Sequence, residues 1–196
     1  MSQKIKLYDV VKNSYEKDRT KQRDAFKNQG YLYDTSSNDN QQIYYNPDAD
    51  DAHKLIFSVA GTHNLSDWGT DVYLGMGKLK DTNRYKNAEK ALQDAKKRYG
   101  VEKATVVGHS LGGAIAQYIG GANDDVYTLD KGATIGQTTR SNEHAYRTSG
   151  DVVSLLNSNS TRMKTLKNPN IQTGILPIDA YTAHDVGNIQ NEDIFV

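Results

Sequence analysis

The sequence predicts an α/β fold in which a mostly parallel central sheet carries helices on both faces. Three observations point there. Short apolar runs at residues 54–60, 104–107 and 126–129 have the length and composition of buried strands. Helical periodicity fills the intervals between them, over residues 83–99 and 114–119, an alternation that builds strand–helix–strand units. The 196 residues contain no internal repeat and no low-complexity segment, which suits one domain over residues 1–196 with a single sizeable core.

The first expected element is an amphipathic helix from Leu7 to Phe26, because Leu7, Val10, Val11 and Tyr15 recur at helical spacing with charges between them; Gly30 ends its extension. Residues 35–40 are loop chemistry, followed by a strand at 42–46, turn residues at 47–51, and the strand at 54–60. The two strands are close enough to form a hairpin. Ala88, Ala91, Leu92, Ala95 and Tyr99 form one face of a crossover helix that Gly100 stops. Beyond Leu129, residues 145–148 and 162–166 read as strands and 183–189 as a short terminal helix.

Composition excludes some chemistries and leaves the substrate open. The absence of cysteine removes disulfides, cysteine-based metal sites and a thiol nucleophile. The 24 basic and 24 acidic residues balance without a block of like charge, so nothing in the charge favours nucleic acid or an anionic membrane as partner. The N-terminus lacks the apolar stretch of a signal peptide and no run reaches the length of a membrane span, so the expectation is a soluble protein, cytoplasmic or associated with a virus particle. A mean hydropathy of −0.75 agrees with a polar surface.

The strongest local signal is Gly108-His109-Ser110-Leu111-Gly112, set directly after a buried strand and directly before a helix. A serine on so sharp a turn must hold strained dihedrals, and glycines two before and two after it let strand and helix approach without Cβ clashes. The turn raises the hydroxyl into the open and aims the next amide, that of Leu111, into a site for a developing oxyanion at the helix N-terminus. Ser110 is thus the candidate nucleophile. The competing interpretation makes it an ordinary helix cap after a glycine-rich turn.

Around this turn the sequence resembles the class 3, or fungal-type, lipase family, whose members have the α/β-hydrolase fold. Four segments carry the resemblance, in the family's order and over about residues 54–189. Val107 to Ala114 is very close to the nucleophile turn. Phe57-Ser58-Val59-Ala60-Gly61-Thr62 with Asp67-Trp68 is similar to the oxyanion strand, although Ala60 stands where the family usually has a basic residue. Tyr146 to Val153 resembles the segment of the catalytic acid, with Val152 in place of a common proline, and Ala183-His184-Asp185-Val186-Gly187 resembles the segment of the catalytic histidine.

The resemblance implies a triad of Ser110, Asp151 and His184, with the amides of Thr62 and Leu111 binding the oxyanion. The order Ser, Asp, His agrees with this fold. Asp130, at the end of the strand after the nucleophile helix, is the alternative acid, since some α/β-hydrolases draw their carboxylate from that strand. His53, His63 and His144 precede their required places in the order. His109 is expected to face away from Ser110, while His63, beside Thr62, is a candidate lining residue.

The implied chemistry is ester hydrolysis through an acyl-enzyme, with no cofactor and no metal. The expected partners are an ester or lipid substrate, such as an acylglycerol or phospholipid, and transient contact with a lipid interface. The family's lid lies where this chain has only about residues 72–82, so a minimal lid is expected, with Tyr73, Leu74 and Met76 as candidate substrate contacts. A thioesterase, acyltransferase or peptidase on the same triad remains open, as does a non-catalytic binding domain, because a fold does not determine the leaving group.

Overall fold

The computed structural model describes residues 4–62, 76–132, 139–151, 162–168 and 184–196. Seven strands form one sheet in chain order: β1 (Leu32–Tyr33), β2 (Gln41–Tyr45), β3 (Leu55–Val59), β4 (Thr105–His109), β5 (Asp125–Leu129), β6 (Glu143–Thr148) and β7 (Lys164–Leu166). The pairs β1/β2 and β2/β3 are antiparallel, and every pairing from β3 to β7 is parallel. The expected hairpin is therefore β2/β3, in which Ile43 faces Phe57. The two-residue strand β1 is too short to show alternation and carried no sequence signal.

Side chains alternate across a strand, and the core divides accordingly. Leu55, Phe57 and Val59 of β3, with Val106 of β4, pack beneath α3 (Asn83–Tyr99) and α4 (Leu111–Ile119). Ile56 and Val107 point the other way, into a second cluster with Leu7, Val10 and Val11 of α1 (Leu7–Ser14) and with Ile189, Ile194 and Val196. Both faces are thus covered, as the buried runs implied. Each large apolar side chain withdrawn from water contributes about 1.5–3 kcal/mol, and β3 and β4 are buried along their whole lengths.

The N-terminal segment is not the continuous helix expected over 7–26. Helix α1 stops at Ser14, and α2 (Arg19–Asp24) starts afresh because the Asp18 carboxylate accepts from the amides of Thr20 and Lys21. Capping outweighs the apolar spacing there. Helix α3 begins at Thr82, whose hydroxyl accepts from the Tyr85 amide, and ends at Gly100 with φ +64°, the left-handed stop expected of it. The terminal helix expected over 183–189 is a 3₁₀ turn at Val186–Ile189 capped by Asp185. Of the interval expected to hold a minimal lid, residues 76–81 form a kinked 3₁₀ stretch leading to α3; Tyr73 and Leu74 lie outside the described residues.

The two ends of the described chain lie side by side. The Leu7 amide donates to the Ile194 carbonyl at 2.8 Å, and the Val196 amide donates to the Ile5 carbonyl at 3.0 Å. Among the described residues, no helix is long and apolar enough to cross a membrane.

Candidate active site

Ser110 occupies the junction of β4 and α4 with φ +58° and ψ −127°, a conformation that costs an L-residue energy and needs tight surroundings to persist. Glycine supplies them. A Cβ on Gly108 would lie 2.2 Å from the Gly112 carbonyl oxygen, and one on Gly112 would lie 2.2 Å from that of Val59. The first turn of α4 is therefore pressed against both β4 and the end of β3, which brings the segments of Leu111 and Thr62 together. In an α-helix the first amides have no intrahelical acceptor, and Leu111 is the first residue of α4.

Asp151 and His184 arrive from distant parts of the sequence. The chain leaves β6, turns at Gly150 with φ +87°, and buries Asp151. Its Oδ1 lies 2.9 Å from Nδ1 of His184, which is equally buried. Ser110 and His184 line one cavity of about 230 Å³, whose walls also include Thr62, His109, Tyr15 and Lys12. The Ser110 hydroxyl is buried with no hydrogen-bond partner among the described residues.

Asp130 plays a different part in this geometry. Its carboxylate accepts from the Thr148 amide at 2.5 Å and the Thr148 hydroxyl at 2.9 Å, so it ties the end of β5 to the end of β6, three residues before Asp151. Its own φ is +44°. Burial, reinforced by the charge of Asp151, pushes the Asp130 carboxyl up to about 7.

A family model described as an alpha/beta hydrolase of unknown function (DUF915) matches residues 57–173, more than half of the chain. The chain belongs to this family. None of the curated proteins matches it. Among solved structures, this α/β hydrolase is similar to the Lip2 lipase of Yarrowia lipolytica, with 14% identity, a TM-score of 0.50, and coverage of 83% of this chain and 76% of that one. It also matches the Rhizomucor miehei lipase in its native propeptide complex at 18% identity and a TM-score of 0.44, over 64% of this chain. The chain spans about half of that second structure, 51%. At these identities the likeness is one of fold.

Several residues at or beside this cavity escaped the sequence reading, His109 and Arg84 among them. His109, expected to face away from Ser110, lines the cavity that Ser110 also lines, with its ring centroid 4.7 Å from that of His184. The reason is strand alternation: His109 stands two residues after Val107 and shares its face, the one over which residues 184–189 fold. Arg84 of α3, to which the sequence assigned no role, donates to the carbonyls of Ala60 and Gly61. A basic group thus supports the Gly61 loop after all, from a helix more than twenty residues downstream. Nothing in spacing reveals this.

His109, Asp130 and His184 place ligand-type atoms within 4.8 Å of one another. Both ring nitrogens of His109 are engaged, with Tyr15 and with the His184 carbonyl, Asp130 is held by Thr148, and His184 by Asp151. A cation would have to break this framework, so the donor set suits hydrogen bonding better than metal ligation. Of the other candidates, His63 lies outside the described residues, as do Tyr73 and Leu74, and Met76 is described by its backbone alone.

Proposed function

We propose that this α/β hydrolase cleaves carboxylic esters as a serine enzyme akin to the class 3 lipases, with Ser110 as nucleophile, His184 as base and Asp151 as the carboxylate that orients it. The observation that carries the reading is the 2.9 Å contact between His184 and Asp151 at a cavity that Ser110 also lines. Asp151 favours the tautomer with the proton on Nδ1 and stabilises the imidazolium once formed. Nε2 is then the nitrogen that takes the Ser110 proton as Oγ attacks the ester carbonyl.

The attack gives a tetrahedral oxyanion, for which the amides of Leu111 and Thr62 are the proposed donors. On its collapse the ester C–O bond breaks, and the alcohol departs with the proton from His184. A water then attacks the acyl-enzyme, gives its proton to the same nitrogen, and the acid leaves as Ser110 regains its hydrogen. The reaction so written needs no redox step. A cavity of about 230 Å³ suits a short or medium acyl chain, or one chain of a lipid presented at an interface.

A fluorophosphonate probe tests the class of enzyme. The wild type should be labelled and a Ser110→Ala variant should not; equal labelling of both, or none of the wild type, removes the proposal. Hydrolysis of p-nitrophenyl esters of increasing chain length, beside thioester, amide and phospholipid substrates, then fixes the leaving group.

A further inference from the structure

Tyr15, the residue that closes α1, stands between two parts of the site that the sequence keeps far apart. The Gly61 amide donates to its phenolic oxygen at 3.0 Å, and that oxygen lies 2.7 Å from Nδ1 of His109. Nε2 of the same imidazole lies 3.2 Å from the backbone carbonyl oxygen of His184. The direction of each bond follows from the chemistry. A carbonyl only accepts, so Nε2 carries the hydrogen; Nδ1 of the neutral ring then accepts, and the tyrosine donates to it. Burial holds His109 well below the usual imidazole value and favours the neutral ring.

We propose that Tyr15 is a positioning residue whose hydroxyl couples the oxyanion loop to the base loop, through the sequence of bonds from Gly61 to Tyr15, His109 and the His184 backbone. The proposal rests on the serine-hydrolase reading given above. The Gly61 loop is gripped from both sides: Arg84 holds its carbonyls and Tyr15 holds its amide. Thr62 follows directly, so its amide is oriented by the residue before it. The fit at Gly61 is close, since a Cβ there would come within 2.0 Å of the tyrosine oxygen. The Tyr15 and His109 rings meet edge to face, with centroids 5.7 Å apart, which fixes the imidazole plane as well as its hydrogen bonds.

Tyr15→Phe keeps the ring and removes the coupling. With wild type that the fluorophosphonate probe labels, the variant should lose roughly 10–100-fold in kcat on a p-nitrophenyl ester, with KM changing less than about 2-fold, since an oxyanion contact acts in the transition state. Unchanged kcat, or a rise in KM alone, overturns the proposal while leaving the serine-hydrolase reading intact. Failure of the probe on wild type overturns that reading instead. A second measurement needs no variant: histidine nitrogen NMR of the wild type should show His109 neutral, with hydrogen on Nε2 and none on Nδ1. Hydrogen on Nδ1 overturns the coupling whatever the activity.

Discussion

The Arg84 guanidinium donates to the Gly61 carbonyl across 2.9 Å, so a cation from α3 holds the strand end that leads to Thr62. Its charge is largely removed from water, and burial pulls the guanidinium below its ordinary value. Arg84→Gln is expected to lower kcat by about 10-fold or more through a looser oxyanion loop, and to destabilise the fold by about 1–3 kcal/mol as buried carbonyls lose their donor. Steady-state kinetics and urea melts check both.

The two buried carboxylates near His184 should separate cleanly on substitution. Asp151→Asn leaves the shape of the site but replaces an acceptor-only carboxylate with a neutral amide that can turn its NH2 towards Nδ1 and no longer stabilises the imidazolium, so a loss of about 10³- to 10⁴-fold in kcat is expected. Asp130→Asn can still accept from the Thr148 amide, so its loss should stay within about 10-fold. Reversal of the two, measured as kcat on one ester, would make Asp130 the acid.

Asp130 should also leave a mark on stability. Because its folded value is raised from 3.8 to about 7, the folded chain holds a proton between those pH values that the unfolded chain has released. Its contribution is therefore present at low pH and lost as pH rises towards 7. In Asp130→Asn that slope disappears, so the variant's melting temperature should vary less between pH 4 and pH 7 than that of the wild type.

A buried polar cluster braces the far face of α4. The Glu143 carboxylate accepts from Lys131 at 2.6 Å, from the Thr128 hydroxyl at 2.7 Å and from Gln117 at 3.1 Å, and Lys131 and Glu143 are both almost wholly buried. Glu143→Gln removes the anion beside a buried ammonium and should cost about 3–5 kcal/mol. A calorimetric melt measures it, and an unshifted transition would contradict it.

Gly112→Ala tests the approach of helix and strand. The added methyl would meet the Val59 and Ala60 carbonyl oxygens at 2.2 and 2.5 Å, and these belong to backbone. A loss of about 1–3 kcal/mol or more is expected, read from chemical denaturation.

The fold was legible where a segment's own pattern decides its structure. The buried runs became β3, β4 and β5, and Gly100 ended α3, because hydrophobic periodicity and glycine stereochemistry act within a few residues. Ser110 was legible for the same reason, its strain being written into Gly108 and Gly112. Tyr15, His109 and Arg84 were not. Each owes its place at the site to a partner tens of residues away, brought there by strand alternation and by the packing of α1 and α3 on opposite faces of the sheet. The break between α1 and α2 was missed because the cap at Asp18 competed with an apolar spacing that ran across it.

The backbone ladder joining Ile5 to Val196 and Leu7 to Ile194 sets a timetable for activity. During synthesis the nucleophile turn and the sheet around it can assemble while the segment bearing His184 is still unmade. Until the segment bearing His184 folds beside α1, the nascent chain has the proposed nucleophile without its proposed base. On the proposed mechanism, reactivity switches on only after translation has passed His184, and a product truncated before it is expected to be inert towards esters.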